Sequence, residues 1–160
     1  MKFTTADLCD EFPEAVRIAD PVFTDYGGIR KFGGPIETLR VFEDNSLVSE
    51  TLGTPGQGRV LVIDGGGSLR TALVGGRLAG LAHANGWAGL IVNGSVRDSL
   101  EMRQIQLGVR ALSTSPLRSQ KQGRGDRGGK VTFAGVIFSP TEFLYADEDG
   151  IVVSDRKLSD

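Results

Sequence analysis

The clearest pattern lies in the middle of the chain. Val60-Leu61-Val62-Ile63 is an unbroken apolar run, the kind that fills a strand buried on both faces, and Asp64-Gly65-Gly66-Gly67 ends it. A loop containing Thr71 to Gly76 follows, then Leu78, Ala79, Leu81 and Ala82 at helical spacing, stopped by Asn85-Gly86. Ala88-Gly89-Leu90-Ile91-Val92 is a second strand of the buried type, ended by Asn93-Gly94. Strand, crossover helix and strand make a βαβ unit with two parallel strands.

The flanks are less regular. Thr4-x-x-Asp7 opens a short helix through Leu8, Cys9 and Phe12 in the manner of a capping box, and Pro13 ends or offsets it. After a glycine-rich stretch from Asp25 to Pro35, Ile36 to Phe42 alternates with period two and reads as a half-buried strand. Asp44 or Asn45 caps a helix carrying Leu47, Val48 and Leu52, which Gly53-Thr54-Pro55-Gly56 stops. From Gly108 the pattern turns β-rich, with runs at Val109–Leu112, Val131–Phe133, Val136–Phe138, Phe143–Tyr145 and Ile151–Val153. Asp149-Gly150 joins the last two as a tight turn. Arg118 to Gly129, with Arg118, Lys121, Arg124 and Arg127, reads as a basic, flexible, solvated loop in preference to a site for RNA or an acidic partner. The class is α/β, with a parallel centre and antiparallel C-terminal strands.

Composition narrows the function classes. A length of 160 residues suits one domain spanning 1–160. Eighteen Lys+Arg against 20 Asp+Glu, a formal net charge of -2, argues against a dedicated nucleic-acid binder, and no direct nucleic acid is expected. No apolar run approaches the roughly 18–20 residues of a membrane span, the N-terminus lacks an apolar signal region, and Cys9 is alone. A cytoplasmic, disulfide-free protein is expected. The 23 glycines, about twice average usage, gather in pairs and triplets between apolar runs, where tight turns and close backbone approach need them.

The βαβ unit also makes a geometric prediction. The helix starting near Gly76 begins at the C-terminal edge of the first strand, and the second strand returns to that edge, so Arg97, Asp98 and Glu101 arrive beside the helix start. Ligands of open α/β sheets favour this edge, and free helix N-terminal amides attract anions there. The amides around Gly75, Gly76, Arg77 and Leu78 are candidates to hold a carboxylate. Arg97 can clamp a carboxylate or sit on a ketone oxygen where negative charge develops. Asp98 offers a hard oxygen to a cation such as Mg²⁺, and Glu101 can hold one of its waters. On spacing alone, a solvated Arg-Asp loop pair or a structural salt bridge remains the competing reading.

Gly76, twenty intervening residues, Arg97-Asp98, two more and Glu101 form a signature that resembles the class II, metal-dependent 4-hydroxy-4-methyl-2-oxoglutarate aldolases, which also decarboxylate oxaloacetate. Phe42-Glu43-Asp44-Asn45, Val62 to Gly67, Asn93 to Arg97 and Leu144-Tyr145-Ala146-Asp147 are similar to the related regulator of ribonuclease E activity A. The resemblance covers nearly the whole chain. It implies a swivelling β/β/α domain, a homotrimer with sites at subunit boundaries, and a small 2-oxo acid substrate. It further implies Mg²⁺ or Mn²⁺ on Asp98, catalytic roles for Arg97, Asp98 and Glu101, and ribonuclease E as the partner under the alternative. The best-known ribonuclease regulator lacks the acidic residue after the arginine; here it is Asp98. Several aldolase relatives carry an acidic residue where this chain has Gly76-Arg77, so any acid/base role there does not carry over, leaving a neighbouring subunit as a candidate source.

Other signals are discounted. Gly65-Gly66-Gly67-Ser68-Leu69-Arg70 ends in arginine where a dinucleotide loop needs glycine or alanine. His83 is the sole histidine and reads as a helix-surface or packed residue, and Trp87 as packing where helix meets strand. The five lysines lie at termini or in polar, glycine-rich surroundings, which disfavours a Schiff-base route.

Overall fold

A computed structural model describes residues Met1–Asp160. In chain order the elements are α1 (Thr5–Glu11), β1 (Val16–Ile18), β2 (Thr24–Asp25), β3 (Phe32–Arg40), α2 (Ser46–Leu52), β4 (Val60–Asp64), β5 (Ala72–Val74), α3 (Gly76–Ala84), β6 (Gly89–Val96), α4 (Ser99–Met102), β7 (Gly108–Thr114), β8 (Asp126–Arg127), β9 (Val131–Phe133), β10 (Val136–Phe138), β11 (Phe143–Asp147) and β12 (Gly150–Ser154). None of the helices is long and apolar enough to cross a membrane.

The main sheet runs β1-β12-β11-β3-β4-β6-β7-β2, with β3, β4, β6 and β7 mutually parallel and the rest of this path antiparallel. The parallel centre therefore extends beyond the expected two strands to four, because α2, α3 and α4 each return the chain to the same end. A separate β9-β10 hairpin covers one face.

The apolar run of β4 explains the layering. Leu61 and Ile63 point into a core shared with Val48, Leu52, Ala79 and Met102 of the helices. Val60 and Val62 point the other way, into a core shared with Phe133, Phe138, Leu144 and Val153. Leu90 and Val92 against Ile91 repeat that division in β6. A strand buried on both faces needs apolar residues at consecutive positions, and Val60–Ile63 and Leu90–Val92 supply them.

Three expectations change. Ala72–Val74, expected in a loop, is a short strand parallel to β6. Strand β6 runs past Asn93-Gly94 to Val96, with a register shift between Val92 and Ser95. The cationic side chains of the basic segment from Arg118 are exposed, but its backbone is not free. Gln120 N–H donates to Glu43 O (2.9 Å), Asn45 N–H donates to Gln120 O (3.0 Å), and β8 pairs with β3.

The N-terminal helix is tied on by one carboxylate. Thr4 Oγ1 accepts from Asp7 N–H as the capping box requires, while buried Asp147 accepts from Thr5 N–H and Thr5 Oγ1, both at 2.6 Å, and from Asp149 N–H at 3.0 Å. Burial pushes the Asp147 carboxyl up, but these donors outweigh it and hold it below the ordinary value. A depressed native pKa stabilises the fold above the unfolded value near 3.9, and that stabilisation is lost as pH falls through the native value. Asp147→Ala, which strands buried donors, is expected to cost about 1–3 kcal/mol at pH 7. Urea unfolding of wild type and variant should show the gap narrowing as the pH drops below about 4.

Candidate active site

Parallel pairing of β5 with β6 sets Val74 opposite Val96. The next residues along each strand, Gly75-Gly76 and Arg97-Asp98, therefore lie side by side where α3 and α4 begin. Arg97 N–H donates to Val74 O at 2.9 Å, extending the ladder one step further. Asp98 then turns away in the left-handed region (φ 57°, ψ 43°), which Asp tolerates better than most residues. Such a conformation in a non-glycine residue stores roughly 1–3 kcal/mol and tends to sit at functional positions.

That turn aims the carboxylate back across the gap. Asp98 Oδ2 accepts from Gly76 N–H at 2.9 Å. A Cβ on Gly75 would stand 2.7 Å from Asp98 Oδ2, and one on Gly76 would overlap the Glu101 carboxylate. Both glycines are thus required by close approach, and the structure brings Gly75, Gly76, Arg97, Asp98 and Glu101 together at one point.

The expected anion cradle is narrower than the spacing implied. Asp98 already occupies the Gly76 amide, so the first-turn N–H groups left for a ligand are those of Arg77 and Leu78. These two residues line a cavity of about 170 Å³ together with Asn45, Gly75, Arg97 and Asp98. Arg97 is half-buried; its Nη1 makes a long contact (3.4 Å) to Pro116 O.

The same cavity holds residues the sequence reading set aside. Arg118, Ser119 and Lys121 of the basic segment form its far wall. Ser119 is buried, donating to Ala72 O (2.8 Å) and meeting Thr71 Oγ1 (2.9 Å). Asn45 stands at the α2 N-cap without capping it. Its Nδ2 donates to Leu73 O and its Oδ1 accepts from Lys121 Nζ, both at 3.2 Å. Buried Asp44 takes the cap, accepting from Ser46 N–H (3.0 Å) and from Gln122 N–H (2.6 Å). Burial pushes the Asp44 carboxyl up, but the backbone donors of Ser46, Gln122 and Arg124 hold it below the ordinary range. The available signal was the density of cations over residues 118–127.

Four cations, Arg77, Arg97, Arg118 and Lys121, thus line the cavity with the Asp98 carboxylate, a balance that favours an anionic ligand. No cluster of three or more His, Cys, Asp or Glu forms anywhere in the chain, which does not suit a caged transition metal. Asp98 keeps Oδ1 free, and Glu101 enters none of the chain's ion pairs. Two exposed hard-oxygen groups fit a Mg²⁺-like ion that retains most of its waters. His83, exposed near the far end of α3, takes no part, and Trp87 is buried as packing.

The family model described as RraA-like, Aldolase/RraA, matches residues 5–153. A Dechloromonas aromatica protein provisionally named 4-hydroxy-4-methyl-2-oxoglutarate aldolase is 55% identical, covering 99% of this chain and 100% of its own. The solved RNA-processing inhibitor RraA from Thermus thermophilis is 46% identical with a TM-score of 0.95, over 99% of this chain and 96% of its own. A Geobacillus kaustophilus structure described as an S-adenosylmethionine:2-dimethylmenaquinone methyltransferase is 47% identical with a TM-score of 0.95, over 98% and 97%.

Glycine at the start of α3 serves close approach, not helix stability. Gly76→Ala is expected to leave the melting temperature unchanged or slightly higher, since Ala is the better helix former by about 0.5–1 kcal/mol. It should nonetheless displace the Glu101 carboxylate, which a crystal structure of the variant would show.

Proposed function

The chain belongs to the RraA-like aldolase family, and we propose that it is a divalent-metal-dependent lyase. It would cleave 4-hydroxy-4-methyl-2-oxoglutarate to two pyruvates and decarboxylate oxaloacetate. The observation that carries this reading is the Asp98 carboxylate held against the α3 N-terminus, beside the half-buried Arg97. The methyltransferase name has less support: the Gly65–Gly67 turn leads into another strand, without the helix that a nucleotide-binding glycine loop opens.

Asp98, with Glu101 beside it, would hold Mg²⁺ or Mn²⁺. Bound there, the cation supplies Lewis acidity toward the keto and carboxylate oxygens of a 2-oxo acid. The free amides of Arg77 and Leu78 receive the oxo-acid carboxylate. Arg97 places its guanidinium on the keto oxygen, where charge grows as the C3–C4 bond breaks and its electron pair moves onto the enolate. The C4 hydroxyl becomes a ketone by giving up its proton, and C3 takes one up, so the six-carbon diacid yields two pyruvates. Glu101 is this chain's own candidate to take and return that proton. In oxaloacetate the same electron flow expels CO₂.

A homotrimer fits exposed apolar groups near the site. Phe42 and Leu117 line the adjoining cavity, and Leu100 projects from α4. Light scattering should give about three times the 17.0 kDa of one chain. The resemblance to the RNA-processing inhibitor supports a second reading, a regulator that binds ribonuclease E.

Pyruvate release from both substrates decides between the two. Turnover should require Mg²⁺, stop with EDTA, return on adding Mg²⁺ back, disappear in Asp98→Ala, and drop about 100-fold or more in Arg97→Ala. Absent or metal-independent turnover, with capture of the ribonuclease on this chain, would favour the regulator.

A further inference from the structure

We propose that Arg118 binds the second carboxylate of the substrate, making the site selective for 2-oxo diacids over 2-oxo monoacids; this rests on the lyase reading above. The small cavity at Arg97 and Asp98 shares lining residues with a second one. Arg118, Ser119 and Lys121 also line a neighbouring cavity of about 680 Å³, so one wall serves both spaces. A molecule with its oxo-acid end at Arg97 and Asp98 that extends along this wall brings its other end to Arg118.

The wall is built to hold a charge in place. Ala72 N–H donates to Leu117 O at 2.8 Å, Ala72 and Arg118 form a parallel bridge, and Ser119 Oγ donates to Ala72 O. Arg118 thus carries a flexible side chain on a backbone pinned to β5. Of its neighbours, Arg70 pairs with Glu43 at 3.4 Å and Lys121 Nζ donates to Asn45, whereas Arg77 and Arg124 enter no ion pair but each line only one of the two cavities. None of the chain's ion pairs includes Arg118. An uncompensated guanidinium suits a carboxylate, which it binds through two parallel N–H groups.

The chemistry distinguishes this role from general attraction. When the six-carbon diacid is cleaved, its distal carboxylate stays on the departing ketone, so a pairing with Arg118 persists through bond breaking. In oxaloacetate the distal carboxylate leaves as CO₂, and a pairing there stabilises the ground state more than the transition state. Loss of Arg118 should therefore lower kcat/KM for diacid cleavage more than for decarboxylation.

Calorimetry with Mg²⁺ present tests the proposal directly, using 2-oxoglutarate and 2-oxobutyrate, which share the oxo-acid end and differ in the distal carboxylate. The wild type should bind 2-oxoglutarate about 10-fold more tightly or better. Arg118→Gln should bring the ratio of the two dissociation constants close to one, and Arg118→Lys should recover part of it, with circular dichroism confirming folding. A preference that survives in Arg118→Gln, or is absent from the wild type while 2-oxobutyrate binds, overturns the Arg118 assignment alone. Failure of the wild type to bind either oxo acid overturns the lyase reading and this proposal with it.

Discussion

The hydrogen bond from Gly76 N–H to Asp98 Oδ2 joins the two halves of the site, and the rest of the arrangement depends on it. It forms because β5 and β6 end in register and because neither Gly75 nor Gly76 carries a side chain to keep Asp98 and Glu101 away. The left-handed turn at Asp98 serves the same end, sending the carboxylate back toward α3 while its main-chain carbonyl opens α4 by accepting from Met102 N–H. One carboxylate oxygen is used to fix the position and the other stays free for chemistry. A site of this kind is ordered before any ligand arrives, which lowers the entropic cost of binding.

Much of this was legible in the sequence because the parallel core is dictated by burial. Strands β4 and β6 are apolar at consecutive positions, and few other structures accommodate that pattern in so short a run. Once strand, helix and strand were placed, the handedness and length of the connection left one edge at which Gly76 and Arg97-Asp98 could meet.

The rest was hidden for physical reasons. Strand β5 has three residues between Thr71 and Gly75, too few to show any period. Asn93-Gly94 carries a turn signature, yet pairing with neighbouring strands on both sides holds β6 extended through it. The segment from Arg118 onward was misread because composition reports side chains: these face solvent, while the backbone beneath them is bonded to β5 and to the start of α2. A loop whose side chains look solvated can be a rigid wall when its amides and carbonyls are taken. Asp44 makes it so here, as a buried carboxylate that caps α2 and accepts from the same segment.

Stability and chemistry are therefore carried by different residues. Leu61, Ile63, Leu90 and Ile91 are wholly buried and hold the sheet, whereas Arg77, Asp98, Glu101 and Arg118 are exposed at its edge. Exposed polar groups can change with little effect on folding, since surface substitutions away from caps and buried networks usually shift stability by less than about 0.5 kcal/mol. The backbone that presents them is constrained by burial, by the two glycines and, at the start of α3, by the Asp98 hydrogen bond. This separation explains how close relatives with nearly superimposable chains carry unrelated functional names. The fold supplies an edge where charged groups converge, and a shared fold does not by itself fix what is done there.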